Sequence, residues 1–443
     1  MDGEGRRGKL GPAVPIAPAA RVDKFEVFFD LVFVVSFFII TRATAANVTG
    51  RELLHAMLVL AVLWWCWIMH SVVASRLRLG EGFVPVLMVV GMTALFTFAL
   101  ALPQTFGGLH EGAAGPILVT VSYVVIRAVH IALYAHATRG RPEARRKLYE
   151  FVPEVVITTA LLLVAALLPP AVENQDLGLW LRDGLWIAVV LVQYGSSLVT
   201  GTAGWEITSA EHWTERYDLI LIIALGESVI SVGVGGNLLG KPVTWPAIPA
   251  AMFGILFTAA LWWAHFDMIG PAARIALHAA QNGPRVAMAR DAYAFLYLPM
   301  IAGIILFAIG AEELVRMTTD PTGGVGERAQ GPAVPLLFGG VMLYLAADLA
   351  FQWRTLRTVT WTRIGVLVAL AVGLPVARYL AALAALGLLT AICVALVATE
   401  LMVLADSRHA LRRAVFEEKV THEANEAAFR ARWHDDGQES PAE

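Results

Sequence analysis

The sequence predicts an all-α integral membrane protein: about 12 transmembrane helices, built as two parallel six-helix repeats, with both termini cytoplasmic. Three observations carry that prediction. Hydrophobic residues make up 58 % of the 443 and charged residues only 16 %, with a mean hydropathy of +0.65; soluble domains run near 45–50 % apolar and about 25 % charged. Apolar windows of span length recur twelve times along the chain. Lysine and arginine then gather in alternate loops, as they do on the cytoplasmic side of membrane proteins. These figures exclude a disordered chain, a coiled coil and a disulfide scaffold. A net charge of −3 gives no reason to expect nucleic acid as a partner; membrane lipid is the expected one.

Residues 1–24 form a Gly/Pro/Ala-rich tail with Arg6, Arg7, Lys9, Arg21 and Lys24. It shows no apolar core followed by a cleavage site and reads as a cytoplasmic tail. The first six windows, 27–46, 53–74, 83–103, 115–137, 151–169 and 183–200, make one repeat over 25–200. The next six, 217–237, 247–268, 292–311, 333–353, 362–378 and 380–405, make a second over 201–405. The last two nearly abut, so one helix bent around Pro375 is the alternative. Of the 33 basic residues, 25 fall in the tails and the loops of one side and seven on the other; Arg127 lies within a span. The chain ends in a polar cytoplasmic stretch, 406–443, whose first part is expected as a solvated helix, with Arg408, Arg412 and Arg413 placed to meet anionic lipid as the alternative. Cys66 and Cys393 sit in apolar surroundings and read as buried thiols.

The repeat rests on four matches in the same order. Phe29-Asp30-Leu31 in span 1 matches Tyr217-Asp218-Leu219 in span 7, and Trp64-Trp65 matches Trp262-Trp263. Tyr123 and Arg127 match Tyr344 and Asp348, and Leu168-Pro169 matches Leu374-Pro375. Six spans per half is even, so the halves insert in the same sense, like parallel transporter repeats.

Ionisable groups within spans are costly and mark function by default. Glu26 and Asp30 share a helix face; Asp30, like Glu215 and Asp218, could instead serve as an acid at a helix N-terminus. Glu227 is different: it lies about ten residues into its span, beside Gly226, with Ser231 one turn on. Its expected partner is Arg127, with His130 near the same face, or Asp348 at the repeat-equivalent position. The candidate ion or substrate residues are therefore Glu227, Arg127, His130, Asp348, Ser231, Asp30, Asp218 and Glu26. Scattered histidines with no ligand spacing predict no metal, and no phosphate or dinucleotide fingerprint predicts a cofactor.

The segments KFEVFFDLVFV (24–34), the double-Trp helix (64–67), ALPQTF to RAVHIALY (101–134) and above all EHWTERYDLILIIALGES (211–228) resemble the bacterial low temperature requirement protein A family. WWAHFD (262–267) and ARDAYAFLYLPMIAGIIL (289–306) do too, so the likeness runs over roughly 21–405. It implies a multi-pass bacterial membrane protein, expected in the cytoplasmic (inner) membrane, and names no substrate. HSVVASRLRLGEG, after the double-Trp helix, lacks the Asn and Asp common there in the family. A fold-level likeness to six-helix-unit potassium channels stops at Phe29, which stands where their first span carries serine. The expected function is movement of a small cation, proton or cation-coupled solute through Glu227. The alternatives are a non-transporting scaffold whose buried charges fix packing and, behind it, a lipid enzyme using Asp267, His265 and His278.

Overall fold

The computed structural model describes residues 24–75, 77, 82–108, 112–139, 148–201, 207, 209–235, 244–319, 328, 331–418 and 420–421. The tail readings for 1–23 and 422–443 lie outside the described residues. Among them there is no strand, only an isolated bridge between Arg328 and Ala381.

The first six long helices are α1 (Lys24–Ala45), α2 (Gly50–Ala74), α3 (Val84–Thr105), α4 (Ala114–Ala137), α5 (Leu148–Leu167) and α6 (Gln175–Thr200). Then come α7 (Ala210–Gly235), α8 (Ala247–Ala279), α9 (Asn282 to Thr319), α10 (Ala333–Leu356), α11 (Trp361–Ala377) and α12 (Ala382–Val403). Ten of these stretches are long and apolar enough to cross a membrane. The other two are α11, apolar but 17 residues long, and α7, which has 26 residues but carries Glu211, Glu215, Arg216, Asp218 and Glu227. The chain turns between Ala377 and Ala382, so the last two windows are separate helices, and Pro375 sits inside α11 rather than at a bend joining them.

Local chemistry sets the helix ends. Thr49 and Asn174 accept from the amides of Glu52 and Leu177 at the starts of α2 and α6, and Ser209 accepts from His212 at the start of α7. Each satisfies an orphan N–H of a first turn. At the other end of α3, the buried Arg182 guanidinium donates to the carbonyls of Thr105, Phe106 and Gly107, neutralising the negative end of the helix.

α2 is buried along nearly its whole length, its tryptophans 64, 65 and 67 fully enclosed. Around it, α1 packs on α2, α3 and α7, and α3 lies along α4, which meets α5, which meets α6. In the second half α7 packs on α8 and α9, α9 lies along α10, α10 meets α11 and α11 meets α12. α2 also touches α6, and α8 touches α12.

The tightest seam is α9 against α10. A Cβ placed on Gly340 would stand 2.4 Å from the Phe307 amide nitrogen and 2.6 Å from the Gly303 carbonyl oxygen. One on Gly310 would stand 2.4 Å from the Leu337 nitrogen. The two backbones therefore touch, the close approach that small residues permit in membrane helices.

Two helices carry wide π turns, His265–Ile269 in α8 and Ala289–Leu296 in α9. Pro271 follows the first and Pro299 the second. Neither proline can donate to the carbonyl four residues back, so the ladder opens just ahead of each.

The polar C-terminal stretch is helical over 405–418, and it is not an unpartnered solvated helix. Arg408 pairs with Asp267 at 2.6 Å, and Glu418 reaches Arg274 and His278 at 3.1 and 3.2 Å. The end of α8 is polar, with acids and bases facing outward, and this complementary helix docks on it.

Candidate functional site

Among the described residues, four groups of interior charges hold the residues the sequence points to, and the architecture gives those residues partners that hydropathy windows do not. Arg127 on α4 pairs with Glu154 on α5, both about 3 % exposed. It does not pair with Glu227. Around it Gln193 of α6 donates to the Tyr123 hydroxyl (3.2 Å), which is hydrogen-bonded to the Thr158 hydroxyl at 2.8 Å. His130 lies one turn from Arg127, its ring 5.9 Å from that of His70, which stacks on Phe29. A cavity of about 30 Å³ beside Arg127 and His130 has room for ordered water. A double-mutant cycle should show coupling on the order of 1–3 kcal/mol between Arg127→Ala and Glu154→Ala in denaturant titrations. Arg127→Ala and Glu227→Ala should add to within about 0.5 kcal/mol. The opposite pattern would remove the assigned pairing.

The second place is the seam of α1 and α7. His212 meets Glu26 at 2.8 Å and Arg216 meets Asp30 at 2.8 Å, while the Trp67 indole donates to the same Asp30 oxygen at 2.7 Å. The Arg216 guanidinium also lies 5.2 Å from the Trp67 ring centre, a cation–π contact. Asp30 is fully enclosed and lies past the first turn of α1, so it does not serve as an acid at a helix end. The end-capping reading of Asp218 also gives way. α7 begins at Ala210, two turns before it, whereas capping acts in the first turn.

The third place joins all six helices of the second half, α7 to α12. Asp348 on α10 accepts from His265 Nδ1 at 2.7 Å and pairs with Arg363 of α11. Arg363 also holds Glu400 of α12 at 2.8 Å and donates to the Ala264 carbonyl. The other nitrogen of His265, Nε2, lies 3.1 Å from the Tyr297 hydroxyl, which reaches Asp218 on α7 at 3.4 Å. Asp348 thus has its own partners, His265 and Arg363, and is not paired with Glu227. Both π turns border this chain: His265 opens the first, and Tyr297 directly follows the second. Such turns are frequent at functional sites.

Glu227 is the fourth. It is 5 % exposed, and Ser231, one turn on, donates to its Oε1. Its Oε2 is buried with no hydrogen-bond partner, and no cation pairs with it among the described residues. The charge that acts on it is another acid, Glu312 on α9, which meets the half-exposed Arg42 at 2.7 Å. Gly226 has open space around it, while Gly236 lies outside the described residues.

Glu154, Arg216, Arg363, Glu400, His212 and Tyr297 belong to these clusters and were not singled out by sequence. Glu154 and Glu400 carried a readable signal, since each is an acid inside an apolar window. Arg216 and Arg363 were counted with cytoplasmic loops, yet both are about 2 % exposed or less within helices. The asymmetry of the remaining loops still runs the same way.

Comparison with known proteins gives two findings. The sequence pattern of the family described as "Bacterial low temperature requirement A protein (LtrA)" matches residues 21–398. An uncharacterized protein of Rhizobium meliloti (strain 1021) is 27 % identical over 299 residues, 65 % of this chain and 68 % of that one.

Proposed function

The chain belongs to the bacterial low temperature requirement A family, and on that premise we propose that it moves protons or a small cation across the bacterial inner membrane through Glu227. It is a multi-pass membrane protein. In the proposed arrangement α7 and α11 cross along with the ten apolar stretches, giving twelve spans, two parallel six-helix repeats and cytoplasmic termini. Neighbour order supports the repeat: α1–α2, α1–α3, α3–α4, α4–α5, α5–α6 and α2–α6 each have a counterpart six helices later, with α1 and α7 meeting between the halves. Chemistry follows the same order with charges exchanged. Arg127 on α4 pairs with Glu154 on α5, and Asp348 on α10 pairs with Arg363 on α11.

The observation that carries the transport reading is the environment of Glu227: a buried carboxylate with one oxygen unpartnered, a serine on the other and no described counter-ion. An ionised acid cannot rest there unpaired. It holds a proton or a cation, and it gives that ion up only when the surroundings change. In the proposed orientation Glu312 and Arg42 mark its path toward the outer face, since both sit near the ends of helices that run outward. The buried pairs Arg127–Glu154, Asp30–Arg216 and Arg363–Glu400 are packing charges, which is all the scaffold reading needs of them. Glu227 is the residue that reading leaves without a role.

Flux of protons and monovalent cations into proteoliposomes tests it. Glu227→Gln should lower flux to the level of empty vesicles while leaving folding intact, because glutamine keeps the shape and the Ser231 contact. Equal flux in wild type and variant, or none in wild type, would overturn the assignment.

A further inference from the structure

Asp218, Tyr297 and His265 are joined end to end, and their proton count is what needs explaining. His265 is fully buried, and its Nδ1–H donates to Asp348, an acceptor, so only Nε2 is free to change. Beyond Asp348 stand Arg363 and Glu400: two carboxylates share one guanidinium, leaving that group one positive charge short. On the other side Tyr297 has a single hydroxyl proton, which goes either to Nε2 or to Asp218. We propose that these three side chains form a proton relay in which one proton resides on the Asp218 carboxyl or on the His265 imidazole and passes between them through the Tyr297 hydroxyl.

The step balances as follows. In one state the Asp218 O–H donates to the tyrosine oxygen, whose own O–H donates to bare Nε2. Nε2 takes the tyrosine proton as the tyrosine oxygen takes the Asp218 proton. One O–H bond breaks at Asp218, one N–H bond forms at His265, and the tyrosine ends as it began with its bonds reversed. Imidazolium then neutralises the Asp348–Arg363–Glu400 group. The negative charge is left on Asp218, which is partly exposed and feels the positive charge of Arg274. A neutral imidazole beside an ionised Asp218 is disfavoured, because one hydroxyl proton cannot serve both acceptors.

Other charged or titratable groups face the relay. Arg274 and Glu215 act on Asp218, and Tyr293 lies beside Tyr297, with ring centres 5.7 Å apart. Tyr344 donates to the Leu261 carbonyl, and Asp267 is held by Arg408. None of these is hydrogen-bonded to Nε2 or to the Tyr297 hydroxyl. The wide turns that begin at His265 and end just before Tyr297 supply carbonyls and backbone freedom that a regular helix lacks, which the bond reversal uses.

The relay would deliver protons to a Glu227 pathway and so gains its purpose from that reading, but its test does not depend on flux. Nitrogen-15 spectra of histidine-labelled full-length protein in liposomes, with His265 identified by His265→Gln, report whether Nε2 carries hydrogen. In wild type the Nε2 signal is expected at an averaged position between bare and protonated values, moving together with the infrared band of the protonated Asp218 carboxyl. Tyr297→Phe, which keeps the ring and its packing, should drive the signal to one extreme, and Asp218→Asn should also end the averaging. A wild-type signal fixed at one extreme at every pH where the protein is folded would overturn the relay, as would unchanged averaging in Tyr297→Phe. If averaging is seen and Glu227→Gln transports normally, the relay stands and the Glu227 reading fails. If Glu227→Gln abolishes flux and no averaging occurs, the reverse holds.

Discussion

Arg363→Met is expected to destabilise the protein by about 3–5 kcal/mol, the usual cost of stripping one partner from a buried ion pair. The guanidinium is 2 % exposed and binds Asp348, Glu400 and the Ala264 carbonyl at once. Methionine fills similar volume but strands two carboxylates in an apolar interior. Arg363→Lys should recover little, because a single ammonium lacks the planar fork that reaches three acceptors from one position. Adding Asp348→Asn and Glu400→Gln to Arg363→Met should restore much of the loss, since no unpaired charge then remains. Unfolding in mixed detergent, followed by tryptophan fluorescence, measures all of these. A stable Arg363→Met single variant would show that the two acids are neutral already.

The second large effect lies at the α9–α10 seam. Gly340→Val should cost about 3 kcal/mol, at the upper end of overpacking losses, because backbone atoms of α9, from Gly303 and Phe307, stand against the new carbon. No rotamer change relieves a clash with an amide nitrogen at 2.4 Å; the helices must part. Its neighbour provides the control. Nothing lies within 4 Å of a Cβ on Gly339, so Gly339→Ala should be neutral or stabilising by up to about 1 kcal/mol, as for alanine over glycine in a helix. Equal losses at the two positions would mean that the seam is not in contact.

The sequence made the helices legible because moving apolar residues into lipid dominates the energetics, and ten of the twelve apolar windows coincide with helical stretches long and apolar enough to cross a membrane. The edges were misread for the same reason. A hydropathy window stops at a charge, whereas α7 runs seven residues ahead of its window, through His212 and Arg216, because Glu26 and Asp30 on another helix accept those cations. Arg363 sits at the edge of its window, 362–378, and on the same logic its charge counts with the loop before it. Depth alone singled out Glu227, and that needed no tertiary knowledge. Partner choice did: Glu154, not Glu227, faces Arg127, and nothing local to either segment says so. His265 looked isolated along the chain, since Tyr297, Asp348 and Asp218 come to it from three other helices.

The glycine seam has a mechanical meaning. With α9 and α10 in backbone contact, Tyr297 and Asp348 ride on one stiff beam and cannot drift apart. α7 meets that beam through side chains such as Tyr217 against Tyr297, whose ring centres lie 5.3 Å apart. Rings slide more readily than locked backbones. The molecule therefore has a grain, unyielding along one joint and compliant across the other. Any motion of α7 relative to that pair of helices falls first on the 3.4 Å link between Tyr297 and Asp218, the longest in its chain. A shift of an ångström there would open the circuit, and its return would close it.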